Sequence, residues 1–244
     1  MSELYIDVGN TFIKAARRAE GRWSVDFRGE IDDPDPFYRW LGSQDDPTIT
    51  LCSVVQRITS RLESTFPQGS GRLEVLRTAQ IPDAMLSYNT PETLGMDRFL
   101  ACLGARSRSG SSVVVIDSGS ACTVDYMTKE SVFMGGVIMP GIELIRRAAA
   151  DALEELPESD LLIPGEWPGK STLDCLRWGV SGAFIEAIRG FLNRFASTYG
   201  TFDLFLSGGD AERIYHAISS EFHPVHDPHL LFDGMMAFKQ LNVQ

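Results

Sequence analysis

Two short loops constrain this chain more than anything else in it. The run Leu4, Tyr5, Ile6 ends in Asp7-Val8-Gly9-Asn10-Thr11, and the run Val113, Val114, Val115, Ile116 ends in Asp117-Ser118-Gly119-Ser120-Ala121-Cys122-Thr123. Each is a strand apolar enough to be buried, which stops at an Asp followed by a Gly and small hydroxyl residues. One such loop is an ordinary hairpin turn. Two, at corresponding places in the halves of one chain, point to a duplicated fold that grips phosphate and metal from both sides.

The rest of the chain repeats the plan. After Leu4 to Asp7, strands are expected at Phe12–Ala19, Trp23–Gly29, Thr48–Val54 and Leu73–Leu76, with helices at Pro34–Leu41 and from Val55 to Phe66. Ile81 to Thr90 reads as irregular, and Pro91 or Glu92 to about Arg108 as one helix capped by Thr90, or by Thr93 for a later start. The Ser- and Gly-rich stretch Ser107–Ser112 divides residues 1–110 from residues 111–244. The second part gives strands at Val113–Asp117, Cys122–Thr128, Ser131–Ile138 and Phe202–Leu206. Its expected helices run from Pro140-Gly141 to about Leu156, from Leu173 to Tyr199, from Ala211 to Ser220 and from Phe232 to Leu241, with a loop at Glu158–Lys170. Strands followed by helices in each half make an α/β protein.

Charge narrows the partners. With a net charge of −11, the chain lacks the basic surface that nucleic acids or anionic membranes require. A negative protein that binds a nucleotide must offset the repulsion locally, with backbone N–H groups and a divalent cation. The four cysteines form no C-x-x-C pair and read as buried free thiols of a reducing compartment. No apolar run is long enough to span a bilayer, and the N-terminus has no signal-peptide pattern, so a cytoplasmic protein is expected.

In the first loop, successive N–H groups suit phosphate oxygens, and Gly9 is expected at positive φ to let a ligand approach. Lys14 adds charge, and Asp7 belongs near phosphate only if Mg²⁺ intervenes through water. In the second loop Asp117, Ser120 and Thr123 would line a matching wall, with Asp125 on the side of Thr123. Three weaker motifs remain open. Ser207-Gly208-Gly209-Asp210 could seat an adenosine or simply cap a helix. Gly135 to Gly141 could meet a ligand or pack a tight connection. Asp97-Arg98 could accept a hydroxyl proton and grip an anion, or mark a helix start. His223, His226 and His229, in the Pro-broken stretch, read as solvated loop residues, and no P-loop, H-E-x-x-H or G-x-S-x-G motif is present.

In order along the chain, these motifs resemble the type III pantothenate kinases, of the acetate and sugar kinase and actin superfamily. Asp7–Thr11 is similar to that family's first phosphate loop, Tyr88 through Pro91–Arg98 to its substrate and base motif, and Asp117–Asp125 to its second phosphate loop. Gly135–Gly141, Ser207–Ala211 and Asp227–Gly234 match in kind. The resemblance implies a duplicated actin-like (ribonuclease H-like) two-domain fold with an interdomain cleft. It implies ATP held by Asp7, Val8, Gly9, Asn10, Thr11, Phe12, Ile13, Lys14 and Ser120, and pantothenate by Tyr88, Gly95, Met96, Asp97, Arg98 and Thr172. Asp97 would be the proton acceptor and Asp117 the ligand of potassium or ammonium. A homodimer is implied, with Thr172 acting across its interface. The chain departs from the pattern at Ser120, where Thr is usual, and at Phe12, where a smaller residue is usual. A non-catalytic nucleotide-binding regulator, or a kinase for another small hydroxylated substrate, are the alternative readings.

Overall fold

The computed structural model describes residues 3–67, 70–152 and 166–241. The chain forms two compact units. The first comprises Met1–Arg108, Glu130–Phe133 and His229–Gln244; the second comprises Ser109–Lys129 and Met134–Pro228. The units therefore do not part at a single point of the sequence.

The first unit is built on β1 (Glu3–Val8), β2 (Phe12–Ala19), β3 (Arg22–Glu30), β4 (Thr48–Ser53) and β5 (Leu73–Val75). The sheet order is β3-β2-β1-β4-β5. The hairpin pairs β1–β2 and β2–β3 are antiparallel, whereas β1–β4 and β4–β5 are parallel. A central strand covered on both faces must be apolar along its length, and in β1 Leu4, Tyr5, Ile6 and Val8 are all buried. The helices α1 (Asp35–Gly42) and α2 (Gln56–Thr65) supply Phe37, Leu41, Ile58 and Leu62 to the same core. The helix α3 (Met96–Arg108) completes the unit's first stretch.

The second unit repeats this order. Its strands are β6 (Val113–Ser118), β7 (Ala121–Met127), β8 (Phe133–Pro140), β9 (Asp203–Ser207) and β10 (Val225–His226), arranged β10-β9-β6-β7-β8. Again the hairpin β6–β7 is antiparallel, and β6–β9 and β9–β10 are parallel. Helices α4 (Ile142–Ala152), α5 (Thr172–Arg177), α6 (Ala183–Tyr199) and α7 (Ala211–Phe222) follow. Ile185, Ile188 and Leu192 of α6 and Ile214 and Ile218 of α7 pack with Ile116 and Val124 of the sheet. A mixed sheet with the same strand order in each unit is the expected duplication.

The last helix, α8 (Leu230–Leu241), returns to the first unit and crosses α3. Two glycines set the approach. A Cβ at Gly104 would lie 1.9 Å from the Leu230 carbonyl oxygen, and one at Gly234 would lie 1.9 Å from the Leu100 carbonyl oxygen. The backbones touch where side chains would normally hold helices apart.

Local departures from the sequence expectations have physical causes. The helix expected over 91–108 is broken: Pro91–Thr93 make one 3₁₀ turn, Leu94 is extended at φ −68°, ψ 128°, and α3 starts only at Met96. The helix expected over 173–199 is interrupted by a π turn, Trp178–Gly182, where Gly182 yields space to the Trp178 ring. β10 escapes sequence reading because two residues carry no periodicity. The far end of the helix expected to reach Leu156, and most of the loop expected over 158–170, lie outside the described residues. Cys52, Cys102 and Cys122 are buried free thiols as expected, but Cys175 is exposed.

Gly234→Ala is expected to cost about 1–3 kcal/mol, because the methyl cannot be housed without separating α3 from α8. Gly190→Ala on the open face of α6, where no atom lies within 4 Å, should instead stabilise by about 0.5–1 kcal/mol. Urea titrations of both variants check the contrast.

Candidate active site

In the first unit, β1 delivers Asp7 to its C-terminal end, half-buried and in register with Lys14 of β2 on one side and Cys52 of β4 on the other. The hairpin is closed by the Gly9 N–H donating to the Phe12 carbonyl at 3.0 Å. Gly9 does not take the positive φ expected of it, and no type I′ turn forms. A Cβ there would meet only the Phe12 oxygen, at 3.6 Å. Neither the backbone nor packing demands this glycine, so what it offers is bare backbone. Asn10 and Thr11 are exposed, whereas Val8 and Ile13 turn into the core and leave only main chain available. The Phe12 ring is covered by the Arg28 guanidinium, 4.0 Å from the centroid.

Asp97 lies in the first turn of α3, where the helix dipole favours a carboxylate. Its Oδ1 accepts the Arg98 N–H at 2.9 Å. Gly95 makes room for that carboxylate, since a Cβ there would fall 2.4 Å from Oδ1. Burial raises the Asp97 pKa, and the Arg98 N–H and guanidinium only partly oppose this. The fully buried Cys52 thiol is pushed well up by burial, and Asp7 and Asp97 both add to the shift. Both carboxylates therefore lie near enough to Cys52 to act on its charge. Sequence reading assigned Cys52 no part in this, and only the β1–β4 register reveals it. Met96 is buried, Arg98 is 9% exposed, and Tyr88 is half-buried in the irregular segment before the 3₁₀ turn.

In the second unit, Asp117 stands at the end of β6, in register with Thr123 and Ser207. Ser120 is exposed, and Gly119 has no atom within 4 Å of a would-be Cβ. Two glycines left open by the sequence brace this loop. A Cβ at Gly141 would lie 1.9 Å from the Gly119 oxygen, and the Gly141 N–H donates to the Ser120 carbonyl at 3.0 Å. A Cβ at Gly208, whose φ is +90°, would lie 2.2 Å from the Ser118 oxygen and 2.6 Å from Asp117 Oδ1. The Asp210 N–H then donates to the Ser118 carbonyl at 3.0 Å. The Gly135–Gly141 and Ser207–Asp210 motifs therefore hold the second loop in shape. Asp210 precedes α7 without a side-chain cap bond and pairs with Arg213 at 3.1 Å. Asp125 is 1% exposed beneath Gly136, away from the open loop surface. Thr172 is exposed at the start of α5, beside the Ser171 cap. Among the described residues no group of three or more metal-ligating side chains occurs.

Two strand-end loops, one carboxylate raised by burial and one buried arginine make a composition suited to phosphoryl transfer to an alcohol. The family model of type III pantothenate kinase matches residues 3–194. The chain belongs to the type III pantothenate kinase family. A type III pantothenate kinase from Hyphomonas neptunium is 33% identical over 248 residues, covering 96% of each chain. One from Synechococcus elongatus is 30% identical over 249 residues, covering 96% of this chain and 95% of its own. The match to the Rhodopirellula baltica relative, 33% identical, spans 62% of this chain and 56% of that protein. Among solved structures, a Campylobacter jejuni chain assigned to the Baf family of transcriptional activators superposes with a TM-score of 0.68 at 22% identity, over 98% of both chains. The ethanolamine utilization protein EutJ of Carboxydothermus hydrogenoformans superposes at 0.50 and 12% identity, covering 98% of this chain and 89% of its own. These two show the fold, the duplicated actin-like architecture.

The raised Asp97 pKa has a consequence for stability. The folded protein holds that proton more tightly than the unfolded chain does. The stability from this preference is full below the ordinary carboxyl value of 3.8 and is lost as pH rises through the folded value. At neutral pH the buried carboxylate is thus a cost to the fold. Asp97→Asn is expected to raise the melting temperature at pH 7, with the gain narrowing toward pH 4. A lower melting temperature at pH 7 would show that the Arg98 hydrogen bond outweighs burial.

Proposed function

We propose that this chain transfers the γ-phosphoryl group of ATP to the primary hydroxyl of pantothenate, giving 4′-phosphopantothenate on the route to coenzyme A. Family membership supports the reaction. The observation that carries the residue assignment is the Asp97 carboxylate, raised by burial and sharing the Cys52 neighbourhood with the loop aspartate Asp7.

Asp97 accepts the hydroxyl proton. A loose transition state leaves proton removal late, so a weakly basic carboxylate in the right place suffices. Gly95, Met96, Arg98, Tyr88 and Thr172 bind pantothenate; Met96 does so by its backbone, its side chain being buried. Backbone N–H groups from Asp7 to Thr11, extended by Phe12, Ile13 and Lys14, hold the phosphates, and Ser120 serves the same nucleotide. Mg²⁺ fits this donor set: Asp7, a half-buried carboxylate at the strand end, suits a hard cation that keeps most of its water and takes phosphate oxygens. When bound, it neutralises charge on the transferring group. Asp117 holds potassium or ammonium, with Gly208 fitted against its carboxylate.

The chain acts as a cytoplasmic homodimer, Thr172 serving the acceptor site across the interface. Its exposure at the start of α5 supports that role. Among the described residues no helix is long and apolar enough to cross a membrane. The test is direct: protein, Mg·ATP, potassium and pantothenate should yield phosphopantothenate, and replacing potassium by sodium should slow turnover. Nucleotide binding without product would identify the non-catalytic regulator instead, and product from another hydroxylated acceptor alone would identify a different kinase.

Asp97→Asn is expected to lower kcat by about 10²–10⁴-fold while changing nucleotide affinity little, as read by single-turnover kinetics and calorimetry. Ser120→Thr should restore a lost methyl contact and tighten nucleotide binding, seen as a lower KM for ATP at unchanged KM for pantothenate.

A further inference from the structure

One buried ring stands among the acceptor residues with no part yet assigned to it. Phe133 opens β8 and is fully buried. It belongs to the first unit with Glu130–Val132, although the remainder of β8 lies in the second. Its backbone makes an isolated parallel bridge with Leu86. Its carbonyl accepts the Ser87 N–H at 2.9 Å. These contacts fix the main chain immediately before Tyr88, in a segment that belongs to no sheet or α-helix.

The ring does the rest. Its centroid is 6.0 Å from that of Tyr88 at 53°, a tilted aromatic pair. On the α3 side it meets Phe99 at 6.2 Å, and the Arg98 guanidinium carbon lies 5.7 Å from its centroid. Arg98 is 9% exposed, so its charge is largely removed from water and the π face is a partner with real directional weight. A single side chain therefore links two residues that reach the site from different elements. A leucine could fill the space but offers neither the π face nor the edge.

We propose that Phe133 is a positioning residue of the acceptor site, holding Tyr88 and Arg98 in mutual register so that both engage one small carboxylate-bearing alcohol. The inference rests on the pantothenate reading for the identity of that alcohol. Phe133 itself touches no substrate; it acts through its two neighbours.

The test uses the full chain. Phe133→Leu is expected to raise KM for pantothenate about tenfold, with KM for ATP within about twofold and kcat reduced less. Amide hydrogen exchange should quicken at residues 86–88 and stay unchanged in the second unit. In a Tyr88→Ala background the effect of Phe133→Leu on KM for pantothenate should shrink, because the ring acts partly through Tyr88. Should Phe133→Leu fail to fold, Phe133→Met fills the space with an unbranched side chain that offers no π face and should give the same split between the two KM values. Equal shifts in both KM values, an undiminished effect in the Tyr88→Ala background, or unaltered exchange at residues 86–88 would overturn the proposal. If the wild-type protein makes no phosphopantothenate, the pantothenate reading fails on its own, and the exchange pattern still decides whether Phe133 holds this segment.

Discussion

Each sheet is organised by a strand that is buried on both faces until it meets an aspartate. Leu4 to Ile6 in β1 and Val113 to Ile116 in β6 are buried, and the charges of Asp7 and Asp117 cannot continue into either core. Only the aspartate's own face opens there, since Val8 and Ser118 beyond it are buried again, and parallel pairing with β4 and β9 fixes which residues flank the aspartate. Site chemistry is thus placed by a solubility limit of the core. The sequence does not need a separate device to locate it.

The two loops differ in how they are supported. The first is a short hairpin closed by one bond between Gly9 and Phe12. The second is braced by turns on both sides, with Gly141 and Gly208 lying so close that any side chain would collide with its carbonyls. Bare backbone serves two purposes here. At Gly9 and Gly119 it is left open, which suits the approach of an anion. At Gly141 and Gly208 it is filled by protein, which stiffens the loop that the anion would meet.

Much of this was legible in the residues. The apolar runs and their terminal aspartates place β1 and β6 closely, and hairpin patterning places β2 and β7. Motif order pointed to the family and, through it, to the duplicated fold. What escaped had no local signature. Cys52 reads as an ordinary core thiol until register sets it beside Asp7. The break before α3 depends on the Asp97 carboxylate needing the space that Gly95 vacates. The π turn depends on the Trp178 ring resting over Gly182, four residues away. Phe133 reads as one more strand residue, since its neighbours Tyr88 and Arg98 lie at least 35 positions earlier in the chain. These are contacts between distant segments, which periodicity cannot encode.

The crossing of α3 with α8 also orders events during synthesis. The first unit owns the opening hundred residues, yet a groove along α3 stays unfilled until Leu230–Leu241 have been made. Its partner element is translated after the whole of the second unit. A ribosome-bound intermediate therefore carries an exposed apolar seam until the second unit has been translated, and Leu230–Leu241 then act as the closing clasp.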